Sequence, residues 1–230
     1  MSEDIGGFGT RESNNIWFKY KAMRQVKDEA TGKVRKEPYA KLVQWVKGEG
    51  AEKGHEVAHG FVSGILKSVQ YRLNPANPDE GINPFNELIL SLGAVRDGEA
   101  WTYKIPLKAS SSGGFGICRR LPNLTMGELV TVASKVIDGN PVIWISRVVN
   151  GQAVKVEAVD TGISFASTEN LVGSELDMIR NANALQREKW VGMTVKNLSY
   201  FDDGSQPAPV QTETVAAATG DKDYDPFSDE

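Results

Sequence analysis

Cysteine and histidine are nearly missing from this chain. Its 230 residues include one cysteine, Cys118, and two histidines, His55 and His59. A single cysteine excludes an internal disulfide and cannot build a thiolate zinc site alone. Such a residue is far more often a small buried hydrophobe than a nucleophile. Long apolar runs are missing too: nothing approaches the eighteen consecutive apolar residues of a membrane-spanning helix. The first residues, MSEDIGGFGTRESNN, carry acids where a secretory leader needs basic and then apolar side chains. These absences point to a cytoplasmic protein with no membrane partner. Enzyme signatures are equally scarce. There is no phosphate-cradling G-x-x-x-x-G-K-[ST], no G-x-S-x-G and no strand-to-helix dinucleotide fingerprint. Gly-Gly-Phe-Gly occurs at 6–9 and 113–116 without that flanking context, and the acids form no convincing catalytic pair. No catalysis and no cofactor are expected.

One motif argues otherwise. Residues 55–59 read HEVAH, which fits H-E-x-x-H and uses both histidines of the chain. On a helix it would bind zinc and offer Glu56 as the base of a peptidase. Glycines surround it, however: Gly54 before, Gly60 and Gly64 after. Each costs a helix interior about 1 kcal/mol relative to alanine. On a strand, residues four apart stand roughly 13 Å from each other, too far for one metal ion. A strand is the expectation, and no metal site.

Charge is present but unevenly placed. The formal net charge is −4, and residues 221–230 alone carry −4, so residues 1–220 are neutral. Residues 19–47 hold nine basic groups against three acids, a segment at +6. A basic segment and an acidic tip in one chain suit a polyanion binder that competes with itself.

Period-two patterns dominate the first two-thirds of the chain. IWFKYKAMRQV alternates Ile16, Phe18 and Tyr20 against Trp17, Lys19 and Lys21. The stretch DEATGK reads as a turn, and YAKLVQWVKG as the returning strand, with Tyr39, Lys41, Val43 and Trp45 on one face. EVAHGFVSGILKSVQYRL reads as a long strand bent or bulged at Gly60 and Gly64. Asp97-Gly98, Asp138-Gly139 and Asn150-Gly151 mark hairpins between further strands. Residues 108–128 are irregular, with one helical turn expected near Ile117–Leu121. From Ser174 the period becomes helical. Ser174 and Asp177 read as a capping box, and Met178, Ile179, Ala182 and Leu185 as the buried face through about residue 190. The predicted fold is mainly β: an oligonucleotide-binding (OB) type antiparallel barrel with an extra hairpin and a C-terminal helix. The domain spans 15–201, after a flexible arm at 1–14 and before a disordered linker and acidic tip at 202–230.

Flat side chains and cations recur together on these strands. A sequence-tolerant single-strand binder needs cations along phosphates and aromatic rings under exposed bases. Trp17, Lys19 and Lys21 share a face, and Tyr39, Lys41 and Trp45 repeat the theme. Lys67 with Tyr71, Trp101 with Tyr103 and Lys104, and the Arg119-Arg120 pair extend the candidate set. Taken singly, each ring is more readily a core residue and each lysine a solvated one. Their co-location on strand faces carries the reading.

From about residue 57 to 160 the chain resembles bacteriophage single-stranded-DNA-binding proteins with an OB fold. The resemblance rests on Gly60, Gly64 and Ile65 in GFVSGILKSVQYR, on the hairpin within ELILSLGAVRDGEAWTYKIPLKAS, and on LPNL at 121–124 before the next strand pair. It implies a non-catalytic protein that coats single-stranded DNA in replication, recombination and repair, in the host cytoplasm. The end of the chain is similar to that family's acidic tails. Asp223, Tyr224, Asp225, Pro226 and Phe227 combine carboxylates with an aromatic hook, a tail that would recruit replication or recombination proteins. Ser228, Asp229 and Glu230 follow Phe227, so a pocket built for a terminal phenylalanine carboxylate would not accept this tip in the same way. The linker 202–220 has a flexible reach of roughly 25 Å, enough to cross a small domain. Rival readings are a zinc peptidase through HEVAH and a phage structural or carbohydrate-binding β-protein. Homo-oligomerisation is left open.

Overall fold

A computed structural model describes residues 14–29, 31–47, 54–75 and 83–198. The expectations for the arm at 1–13 and for the linker and tip lie outside the described residues.

Among the described residues, nine strands form one sheet. They are β1 (Asn15–Lys27), β2 (Val34–Val46), β3 (His55–His59), β4 (Phe61–Asn74), β5 (Phe85–Arg96), β6 (Glu99–Lys108), β7 (Leu129–Ile137), β8 (Asn140–Val149) and β9 (Gln152–Lys155). Their order is β3-β2-β1-β6-β5-β4-β7-β8-β9. The consecutive pairs β1–β2, β2–β3, β4–β5, β5–β6, β7–β8 and β8–β9 are antiparallel neighbours, whereas β3–β4 and β6–β7 are not paired. The Asp97-Gly98, Asp138-Gly139 and Asn150-Gly151 turns all have positive φ at both residues, the geometry whose twist matches the flanking strands.

Two features depart from a closed antiparallel barrel. The β1–β6 pairing is parallel, with Trp17 opposite Lys104, so the sheet is mixed. The ladder is also not closed. It nevertheless curls, because β3 and β4 are consecutive along the chain with only Gly60 between them. β3 pairs with β2, whereas β4 pairs with β5 and β7. The bend therefore returns one end of the strand order to its middle. Ser134 holds the bend in place. Its N–H donates to the Gly60 carbonyl (2.8 Å) and its hydroxyl to the Ala40 carbonyl (3.0 Å), so β2, the bend and β7 meet.

Inside the curl, Phe18 and Leu42 from one half pack with Leu66, Leu90, Ile105, Val132 and Ile145 from the other. Burying each such side chain contributes about 1.5–3 kcal/mol. Helix α1 (Ser112–Cys118) closes part of this core with Phe115, Ile117 and Cys118. Ser111 caps it, accepting from the Gly114 N–H at 3.0 Å and donating to the Lys108 carbonyl at 2.6 Å. The helical turn expected at 117–121 thus begins earlier, and a single 3-10 turn, Leu121–Asn123, follows it. Just before β7, Glu128 forms an ion pair with Arg147 of β8 at 2.6 Å. Burial alone would raise the Glu128 carboxyl; hydrogen bonds from Arg147 and Thr125 outweigh it and hold the group below its ordinary range.

Helix α2 runs from Gly173 to Asn197, seven residues beyond the expected end. The Ser174–Asp177 capping box is not formed: Val172 is the N-cap residue and makes no side-chain cap bond. The face predicted to be buried is largely the outer one. Met178 and Leu185 are 62% and 66% exposed. The covered face instead carries Asn183, Val191, Gly192 and Val195. The Asn183 amide accepts from the Ala166 N–H (3.1 Å) and donates to the Ala166 carbonyl (2.9 Å), pairing the helix with an extended segment as a backbone would. Gly192 lies against the Tyr71 ring, where an added Cβ would stand 3.2 Å from Cζ. Apolar spacing located a stripe; contact with β4 and α1 decided which arc was covered.

Candidate nucleic-acid interface

Alternation along β1 divides its side chains cleanly. Ile16 and Phe18 are buried, while Trp17 is 47% exposed and Lys19 is exposed. Residues paired across a sheet share a face. Trp17 pairs with Lys104 on β6, Lys104 with Ser91 on β5, and Ser91 with Ser68 on β4. This row runs across four strands on the sheet's outer face. Lys104 is fixed along it, its ammonium donating to the Ser91 hydroxyl at 2.8 Å. Exposed Lys67, at a bulge in β4, extends along the backbone of Gly93, the next outward position on β5.

Arg72 completes this patch. Its guanidinium lies over the Trp17 ring, 5.8 Å from the centroid, and its Nε donates to Glu87 at 2.7 Å. Glu87 is nearly fully buried, so the ion pair holds Arg72 across the sheet toward Trp17. The sequence reading missed Arg72 because it chose its neighbour Tyr71. The alternation of a strand supplied the missing signal: Arg72 and Tyr71 must point to opposite faces.

Farther along the face, Lys19 opposes Val43 and Lys21 opposes Lys41. Trp17 and Trp45 each lie two residues beyond the Lys19–Val43 pair and keep the same side. Trp45 is 61% exposed. Lys21 is engaged, bonded to Glu56 on β3 at 2.6 Å, which also relieves its repulsion with Lys41. Trp17, Lys19, Lys21, Lys41, Trp45, Lys67 and Lys104 are therefore brought to one sheet face.

The other predicted residues are not on it. Lys21 opposes Lys41 but Met23 opposes Pro38, so β2 carries one extra residue against β1. This bulge at Ala40, with φ 43, moves Tyr39 off the Lys41–Trp45 face and onto Arg24, 5.2 Å from the ring centroid. Tyr71 packs under α2; burial, then the Glu188 charge, raises its phenol. Trp101 and Tyr103 pack against the core, Tyr103 edge-on to Phe18 at 5.3 Å. Arg119 donates to the Val159 carbonyl at 3.0 Å and Arg120 to that of Gly116 at 2.6 Å. Burial, then the Arg119 charge, lowers the Arg120 guanidinium from its usual value. These arginines fasten the chain after β9 and the end of α1.

HEVAH forms β3, as its glycine context predicted. His59 stands edge-on to Phe18 at 5.4 Å, and burial lowers its imidazole. Among the described residues, no group of three or more His, Cys, Asp or Glu side chains is placed to hold a metal ion. No described helix is long and apolar enough to cross a membrane. Burial pushes the Cys118 thiol up to about 12. A comparison with protein-family models, curated proteins and solved structures finds no match.

Proposed function

We propose that this protein binds single-stranded nucleic acid, DNA in the first instance, on the outer face of β1, β2, β6, β5 and β4. The observation that carries the reading is the patch of Trp17, Lys104 and Arg72: a half-exposed indole with one cation over its ring and another paired beside it. A base can stack on such an indole while phosphates run past Lys19, Lys67 and Lys104. Nothing in this arrangement reads base edges, so binding tolerates any sequence. The fold is read as a variant of the OB barrel, opened and made mixed by the parallel β1–β6 pair. The protein would coat strands exposed in phage replication, recombination and repair, with the acidic tip at 221–230 as its recruiting segment.

The test is tryptophan fluorescence of the full chain titrated with oligo-dT and with duplex DNA. Quenching by oligo-dT at concentrations where the duplex has no effect is expected. Equal response to both, or to neither, overturns the reading.

A further inference from the structure

We propose that α2 is a self-association surface, on which a second copy of the chain docks its own α2 antiparallel. The starting observation is the stripe that failed to be buried. Met178, Leu185 and Met193 are 62%, 66% and 50% exposed, and Ala182 between them is exposed too. At 100° per residue, all four fall within a narrow arc of the helix. Glu175 and Lys196 extend that arc at its two ends, and Lys189 lies within it; all three are exposed. The opposite arc holds Asn183, Val191 and Val195 against the body of the protein. Among the described residues, the stripe is left open to meet something else.

Its pattern identifies the occupant. A two-fold axis between Leu185 and Gln186 sets Met178 opposite the partner subunit's Met193 and Glu175 opposite the partner subunit's Lys196. Each contact occurs twice, as an isologous interface requires. Ala182 meets the partner subunit's Lys189, whose aliphatic stem can lie over the small side chain. The charged ends are about 31 Å apart along the helix. A parallel arrangement would set Glu175 against its own copy and Lys196 against its own copy, so the charges select the antiparallel one. Three large apolar side chains per copy make a small interface, and a dimer in the micromolar range is expected. This proposal does not rest on nucleic-acid binding. The outer sheet face takes no part in it.

The experiment is sedimentation velocity on the full chain from roughly 1 to 200 µM, a span suited to an interface of this size. A concentration-dependent shift from monomer to dimer is expected. E175K and K196E each place like charges together twice and should hold the protein monomeric. The double variant E175K/K196E restores opposite charges and should recover the dimer. L185E, at the axis, should abolish it, with a Tm equal to that of the dilute, monomeric wild type showing that this exposed position leaves the fold intact. A wild type that stays monomeric throughout, or singles that dimerise normally, overturns the proposal. So does a double variant that fails to recover. Quenching by oligo-dT, followed in the same samples, reports the nucleic-acid reading separately.

Discussion

The guanidinium of Arg72 covers the indole of Trp17, 5.8 Å from its centroid, and is held there by Glu87 at 2.7 Å. This relationship joins β4 to β1 across two intervening strands and leaves the ring half-exposed. Trp17→Ala should weaken oligo-dT binding by about 1–3 kcal/mol, the usual worth of one base-stacking aromatic. Trp45→Ala should add to the loss. Both effects should be similar for dT, dA and mixed oligonucleotides by fluorescence anisotropy with a labelled strand. A loss confined to one base would mean edge recognition instead.

Lysines along the face predict a steep salt dependence. Log affinity should fall linearly with log salt, at about 0.7 per phosphate contacted on a single strand. Lys19→Ala and Lys67→Ala should each reduce that slope by roughly one contact. Titrations at several salt concentrations measure it, and a flat dependence would exclude phosphate contacts as the main source of affinity.

Deleting residues 221–230 removes a net charge of −4. If that segment competes with nucleic acid for the cationic face, the truncated chain should bind oligo-dT more tightly, most visibly at low salt where screening is weakest. Unchanged or weaker binding would leave the segment with recruitment alone.

His59 should make the fold acid-sensitive near neutrality. Burial lowers its pKa below the ordinary value of about 6.5. As pH falls through that value the unfolded chain takes up a proton that the folded chain resists, so stability is lost toward the lowered folded pKa. Tm should therefore fall as pH drops below the ordinary histidine value of about 6.5. In His59→Phe, which keeps the edge contact with Phe18, that part of the drop should vanish in calorimetric scans.

Gly64 and Gly60 should respond differently to alanine. An added Cβ at Gly64 would stand 2.7 Å from the Gly93 carbonyl and 2.9 Å from the Leu92 Cβ, forcing β4 from β5. Gly64→Ala should cost about 1–3 kcal/mol, as overpacking does. Gly60 has nothing within 4 Å of such an atom, and Gly60→Ala should be nearly neutral. Urea denaturation of both variants gives the comparison.

Sequence by itself determined the strands and hairpins. Asp97-Gly98, Asp138-Gly139 and Asn150-Gly151 dictate their turns through backbone φ alone, with no help from distant residues. The same locality made HEVAH legible as a strand, because glycine penalises a helix wherever it folds. Period two also assigned Trp17 and Phe18 to opposite faces. Tertiary structure decided which rings face outward. A one-residue bulge at Ala40 turned Tyr39 away, and pairing with β1 and β5 set Trp101 and Tyr103 on the inner face of β6, against the core. Neither the parallel β1–β6 pair nor the reach of Arg72 across the sheet has a local signature, because both join segments far apart in the chain. On α2, apolar spacing marked a stripe; packing covered the arc of Asn183 and Val191 instead, because contact, and not hydrophobicity alone, selects what is buried.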